Sequence, residues 1–338
     1  MDADTLLILL QDGLINGAIY ALLALSLVLV FAVTRVILIP QGEFVAYGAL
    51  TYAALGHGEV PGCLWLLSAL GVGAFAAGGL TQRRVDWALA AETLLVPTVA
   101  VGATLLLAPT RPGPLVAALL TLAIVTPMGP YLYRIAFQPL AEASVLVLLI
   151  ASVGVHLAFM GLGLVFFGPN GDRGEPFSQA RLTLGSLLVP GQALWIVGVA
   201  GALMAGLALF FGRTLAGKAL QATAINRLGA RLVGIATPLS GRIAFLMAAA
   251  IGTLSGILVA PLTTVYYDSG FLIGLKGFVA AIIGGLVSYP LAALAAVLVG
   301  CIESLSSFYA SAFKEVIVFT AIIPVLLWRS LRTPVQEE

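Results

Sequence analysis

The chain has 338 residues, of which 61% are hydrophobic and only 9% charged, against about 25% charged in an ordinary soluble domain. That excludes a soluble enzyme and a disordered chain, and a mean hydropathy of +1.10 agrees. Sixteen Lys and Arg against fifteen Asp and Glu give a net charge of +1, too balanced for a surface that binds nucleic-acid phosphates.

A membrane-crossing helix needs about 20 apolar residues. The length therefore predicts one all-α polytopic membrane bundle of about ten or eleven transmembrane or re-entrant helices. In chain order the apolar runs fall at roughly 5–34, 42–56, 62–80, 88–108, 115–133, 140–168, 190–211, 240–266, 271–287, 290–309 and 314–328. The first follows acidic Asp2 and Asp4 and is too long for a signal peptide. It is read as a retained helix with an interfacial lead-in at Gln11 to Asn16. The second run is too short to cross comfortably. Cys63 and Cys301, both in apolar stretches, imply no disulfide framework and no metal site. The 38 glycines suit close helix packing in lipid.

Alternating the spans sorts the basic residues. One side receives Arg35, Arg83, Arg84, Arg134, Arg213, Lys218, Arg227, Arg231, Arg242, Arg329 and Arg332. The other receives Arg111, Arg173 and Arg181. The positive-inside rule makes the first side cytoplasmic, with the N-terminus outside and the C-terminus inside. The external loop at about 168–190 is rich in Gly and Pro, and the cytoplasmic stretch 212–242 is basic.

A long helix, a break and a short helix occur twice. The first break is Pro40-Gln41-Gly42-Glu43, expected inside; the second is Asp268-Ser269-Gly270, expected outside. Similar units in opposite orientation point to an inverted repeat, a common transporter plan. Gly212 to Lys218 fits GxxxxGK, but Ala219 stands where a P-loop needs Ser or Thr, and an apolar helix precedes it instead of a strand. Nucleotide binding is not expected there.

Several motifs in order carry a family resemblance. Asn16-Gly17-Ala18-Ile19-Tyr20-Ala21-Leu22 is followed by Gln41-Gly42-Glu43, Phe167-Gly168-Pro169, and Gly217-Lys218-Ala219-Leu220-Gln221-Ala222 with Leu232-Val233-Gly234-Ile235. Then come Gly274-Leu275-Lys276-Gly277-Phe278, Ala281 to Leu286, Gly300-Cys301-Ile302-Glu303, and Lys314-Glu315. The chain resembles the permease subunits of ABC importers for branched-chain amino acids and related solutes. The resemblance is weakest at about 81–115, which reads as an inserted pair of spans.

The resemblance implies a single permease domain over 1–338 in a bacterial inner membrane. This chain would bind no cofactor. Its partners would be a second permease, two cytoplasmic ATPases that hold ATP and Mg, an external substrate-binding protein and membrane lipid. Ala219, Ala222, Asn226, Arg227, Arg231 and Gly234 match the ATPase-coupling segment, within a cytoplasmic region of about 213–238. The small residues there allow close approach, Arg227 and Arg231 share a helix face, and Gly234 is placed to end the helix. Ile225 and Asn226 depart from the family's acidic or amide pair.

Gln41, Glu43, Lys276 and Glu303 are candidate pathway residues, because intramembrane charges are costly and need partners. The structural alternatives are a helix-break anchor for Glu43 and an ion pair for Lys276 with Glu303. His156 is expected to be a packing histidine with no ionisable chain beside it. Lys314 with Glu315 reads as a headgroup contact, and Asp268 with Tyr266 and Tyr267 as an external belt or a binding-protein contact. A stand-alone ion-coupled transporter would have to use Glu43, Glu92 or Glu303. An intramembrane enzyme would have to use the distant His57 and His156. Branched-chain amino acids, amides, urea and organic acids all remain open as solutes.

Overall fold

The computed structural model describes residues 3–82, 87–184, 187–286 and 288–332. Every apolar run becomes helix. In order these are α1 (Ala3–Thr34), α2 (Gln41–His57), α3 (Cys63–Gln82), α4 (Ala91–Thr110), α5 (Pro114–Phe137), α6 (Val145–Phe167) and α7 (Gly191–Arg213). There follow α8 (Leu215–Ile225), α9 (Arg227–Leu232), α10 (Thr237–Val259), α11 (Ser269–Ile283), α12 (Tyr289–Tyr309), α13 (Lys314–Thr320) and α14 (Ile322–Arg332). Among the described residues, eight helices are long and apolar enough to cross a membrane, and α3 and α11 are shorter apolar helices. One antiparallel hairpin, β1 (Arg181–Leu184) with β2 (Leu187–Pro190), lies in the long loop before α7. The hydropathy pattern does not disclose it.

The core is built by α1, α2, α10, α11 and α12. Leu22, Leu23 and Ala24 of α1 are fully buried, and α2 is buried from Gln41 to Leu55. The outer helices α6 and α7 instead expose Leu146, Ile150, Val165, Leu194 and Leu209. A helix that is apolar on all sides and yet exposed belongs in lipid. Gly13 and Gly17 lie against Cys301 and Val297, so α1 and α12 pack backbone to backbone. The stretch from Gln11 to Asn16 is therefore continuous packed helix, not a separate interfacial segment.

The loops gather at two ends. At one end His57 Nδ1 lies 3.3 Å from Asp172, and the Arg173 guanidinium donates to the Pro261 carbonyl oxygen at 2.8 and 3.0 Å. At the other end Arg227 donates to the Ala141 carbonyl at 2.8 Å, and Arg242 lies 3.1 Å from Glu92. This grouping follows the charge alternation. Arg83 and Arg84 lie outside the described residues.

The two breaks deviate from their expected positions at the membrane edges. Gln41 lies beside Gly252, Val45 and Ala49 lie beside Gly256, and Gly174, against Tyr52, touches Ala260. Hence α2 runs alongside α10 in the same direction and begins about two-thirds of the way along it. Gly42, at the start of α2, abuts Gly270 and Gly274 of α11. Gly277 meets Leu23, and Gly284 meets Ala292 near the start of α12. Helix α11 therefore starts where α2 starts and runs to the opposite end. Both breaks return the chain to the middle of the bundle. Residues 35–40 make the first return, with Arg35 in the left-handed conformation and a turn at Ile39 and Pro40 that leads into α2.

Candidate functional site

Helix α6 presents one buried face to α2, carrying Leu148, Ser152, His156, Phe159 and Gly163. The spacing of three and four residues puts all five on one side. Ser152 Oγ accepts from the Ile39 N–H at 2.9 Å and fixes the first break. His156 Nδ1 lies 2.9 Å from Glu43 Oε1. The Tyr47 hydroxyl donates to the Phe159 carbonyl at 2.8 Å. The sequence shows Ser152 and His156 on the same helix face, and that was the available signal; their partners are more than 100 residues away.

Glu43 is 0% exposed; His156 lies at ion-pair distance, but among the described residues neither carboxylate oxygen has a hydrogen-bond partner. His156 is thus not the isolated packing residue expected from sequence. Its ring packs against Phe271 with centroids 4.8 Å apart and the planes tilted by 31°. Gln41 is equally buried but points elsewhere: Nε2 donates to the Ala248 carbonyl of α10 at 3.0 Å, and Oε1 has no partner. Its role is to tie the start of α2 to α10.

The second candidate pair is brought together fully. Lys276 Nζ lies 2.5 Å from Glu303 Oε1 and 3.1 Å from Glu315 Oε1. The Tyr20 hydroxyl donates to Glu303 Oε2. Four helices, α1, α11, α12 and α13, meet on this network. Glu315 faces inward to Lys276, where the sequence reading gave it a headgroup contact. Lys314 stands 3.9 Å from Glu315.

The segment expected to meet an ATPase is two helices, where one was expected. Thr214 caps α8 by accepting from the Gly217 N–H at 2.9 Å. Asn226 ends that helix and caps α9 by accepting from the Gly229 N–H at 2.8 Å. Gly234, at φ +86°, follows in the left-handed conformation that glycine tolerates best. Gly217 packs on the Phe210 carbonyl at the α7–α8 bend, so the GxxxxGK stretch is a helix junction.

Arg227 and Arg231 do share a face, but it turns toward this chain's own 138–143 loop. Arg227 holds the Ala141 carbonyl, and Arg231 reaches Glu142 at 3.1 Å and Thr237 Oγ1 at 3.0 Å. Ala230 is buried, and Ala219 and Ala222 are half-buried. The surface left open includes Leu215, Ile225, Leu228, Leu232 and Val233, all more than two-thirds exposed, beside the exposed Lys218, Gln221 and Asn226. Sequence reasoning singled out the alanines and arginines and did not name these side chains.

A polytopic bundle whose two half-helices begin at its centre, with a buried carboxylate at the junction, has the architecture of a membrane transport subunit. The family model described as the branched-chain amino acid transport system permease component matches residues 87–327. The chain belongs to that permease family and is a multi-pass membrane protein. The matched stretch takes in most of the divergent 81–115 region. The permease protein BraD of the high-affinity branched-chain amino acid transport system of Pseudomonas aeruginosa is 25% identical over 335 residues, spanning 95% of this chain and 92% of BraD. The corresponding LivH of Escherichia coli is 29% identical over 219 residues, spanning 60% of this chain and 68% of LivH. The solved structure of PsaBC from Streptococcus pneumoniae in complex with Fab aligns over 96% of this chain and 92% of that one, with 13% identity and a TM-score of 0.40.

Proposed function

We propose that this chain is one of two permease subunits of an ABC importer that carries branched-chain amino acids or related small solutes. Membership of the permease family over 87–327 is the observation that carries this reading. The whole of 1–338 is one permease domain, with the coupling region at about 213–238 and the external loop at about 168–190. Two partner ATPases supply ATP and Mg, a second permease completes the pathway, and an external binding protein delivers the solute. The arginine asymmetry supports a cytoplasmic C-terminus and an external N-terminus. Glu43 lines the pathway, and Gln41 anchors the half-helix beside it. Lys276 and Glu303 brace the helices around the pathway.

The ATPase docks on the α8–α9 platform. Large apolar side chains exposed at the basic end, beyond the apolar spans, call for a protein partner. Leu228→Asp with Leu232→Asp is expected to leave the chain in the membrane, to release the ATPases on purification, and to lower uptake at least tenfold. Unchanged ATPase recovery would refute this docking surface. Arg227→Glu with Arg231→Glu is also expected to uncouple uptake, by releasing the platform from Ala141 and Glu142. The reading as a whole is tested by mild-detergent pulldown of the tagged chain from its native cells. Two ATPases and a second permease are expected with it. A chain that purifies alone and transports in liposomes without ATP would overturn the proposal.

A further inference from the structure

We infer that the cleft between the end of α1, the bend from α7 into α8 and the start of α12 binds an anionic phospholipid, with the lipid phosphate on Arg35 and an acyl chain along the apolar walls. The site is independent of the solute carried.

The cleft has a volume of about 580 Å³ and is lined among others by Leu29, Val33, Phe211, Leu220, Leu286 and Tyr289. Beneath it, Leu29, Val33, Phe211, Leu220 and Ala244 form a small core of their own, separate from the main one. Phe211 and Tyr289 stack with centroids 5.5 Å apart and fix one wall. Three helix ends meet here: α1 stops at Thr34, α7 stops at Arg213 and α12 starts at Tyr289. That is the level at which the apolar spans give way to lipid headgroups.

Arg35 is exposed at the rim, and among the described residues lining the cleft no other is charged. Its guanidinium sits over the Phe31 ring, 5.9 Å from the centroid. Among the described residues no carboxylate lies within ion-pair distance of it. Arg227, Arg231 and Arg242, at the same end of the bundle, all hold a carbonyl or a carboxylate. Arg35 therefore keeps a free fork of N–H donors, and that fork matches the oxygens of a phosphate.

The backbone is strained on both sides of the cleft. Three described non-glycine residues have a positive φ, and two of them, Arg35 at +62° and Leu286 at +57°, line this cleft. Strain of this kind collects at ligand sites. Arg35 directly follows α1, with its N–H donating to the Phe31 carbonyl at 2.8 Å, a position that glycine fills most easily. An arginine kept there at a cost in strain is kept for its side chain.

Inorganic phosphate would use the arginine and leave the apolar walls wet. A hydrocarbon chain alone would fill the walls and leave the arginine unpaired. An anionic phospholipid engages both, as basic pockets between helices at a membrane surface do. Gln221 and Ala224 of α8 also line the cleft, so the bound lipid lies between α1 and the α8–α9 platform.

The test uses the purified membrane complex in phosphatidylcholine nanodiscs that contain phosphatidylglycerol with a diazirine in its acyl chain. After irradiation, adducts are mapped by mass spectrometry. Labelling is expected on peptides carrying Leu29 to Val33, Phe211 or Tyr289. Unlabelled phosphatidylglycerol should compete about fivefold better than added phosphatidylcholine, the ratio expected from roughly one basic residue at the surface. Arg35→Gly should lower labelling by a similar factor, and because glycine accepts the +62° backbone this variant should fold as well as the wild type. Arg35→Lys, which keeps the charge, should retain more labelling than the glycine variant. Equal labelling by a diazirine phosphatidylcholine, or an undiminished signal in Arg35→Gly, would overturn the site. Suppression by inorganic phosphate as strong as by phosphatidylglycerol would overturn it in favour of a free-phosphate site. No labelling of these peptides in the complex would mean that a partner subunit covers the cleft, and would overturn it too.

Discussion

Lys276→Met is expected to destabilise the folded chain by about 3–5 kcal/mol, the usual result of removing one member of a buried ion pair. Lys276 and Glu303 are 7% and 10% exposed at their side chains. Without the lysine, Glu303 keeps only the Tyr20 hydroxyl, and Glu315 loses its inward partner. At 1.4 kcal/mol per tenfold, that is a shift of roughly two to three and a half decades toward the unfolded form. The measurement is the fraction of monodisperse protein after extraction, followed by unfolding in a denaturing detergent titration. The double variant Lys276→Met with Glu303→Met should recover most of the loss, because an apolar pair of similar volume is often as stable as the ion pair it replaces. A single variant as stable as the wild type would show that the pair is not a brace. A stable double variant that has lost uptake would return both residues to the pathway.

Much of this fold was legible in the sequence. Each of the eleven apolar runs is a helix, because hydropathy reports burial in lipid directly. The sorting of the loops to two ends followed from alternating the spans. The pairing of Lys276 with Glu303 was legible too, since both lie in successive runs that antiparallel packing could bring together.

The depth of the breaks was not legible. Hydropathy gives the length of a segment but not where along its neighbour it starts. Only the contacts of Gly42 with Gly270 and of Gln41 with Gly252 fix that. The partnership of Glu43 with His156 joins segments 113 positions apart, and no local pattern encodes it. The outward face of the segment at 213–238 was not legible for a different reason. Its alanines and arginines look like an exposed docking face, but Arg227 and Arg231 found acceptors within the chain, in the 138–143 loop. That left the leucines outside. Asn226 sits in the middle of the stretch as an ordinary cap, and a cap divides one helix into two.

Gly42→Ala is expected to be among the most damaging single-methyl changes in the chain. A Cβ at Gly42 would fall on the Gly270 carbonyl, which is backbone and cannot rotate away. The starts of α2 and α11 would have to move apart. Overpacking of this kind costs about 1–3 kcal/mol, and more where the obstacle is rigid. Gly270→Ala should act alike, since its Cβ would fall on the Gly42 carbonyl, and combining the two should not rescue either. Gly102 of α4 is the contrasting case. A Cβ there meets nothing within 4 Å, so alanine should stabilise the helix by roughly 0.5–1 kcal/mol through the lower entropy of the unfolded chain. Detergent unfolding midpoints for the three variants, measured beside uptake, separate packing from transport. A Gly42→Ala protein with a wild-type midpoint would mean that the two half-helices do not touch at their starts, and the central junction on which Glu43 is placed would have to be redrawn.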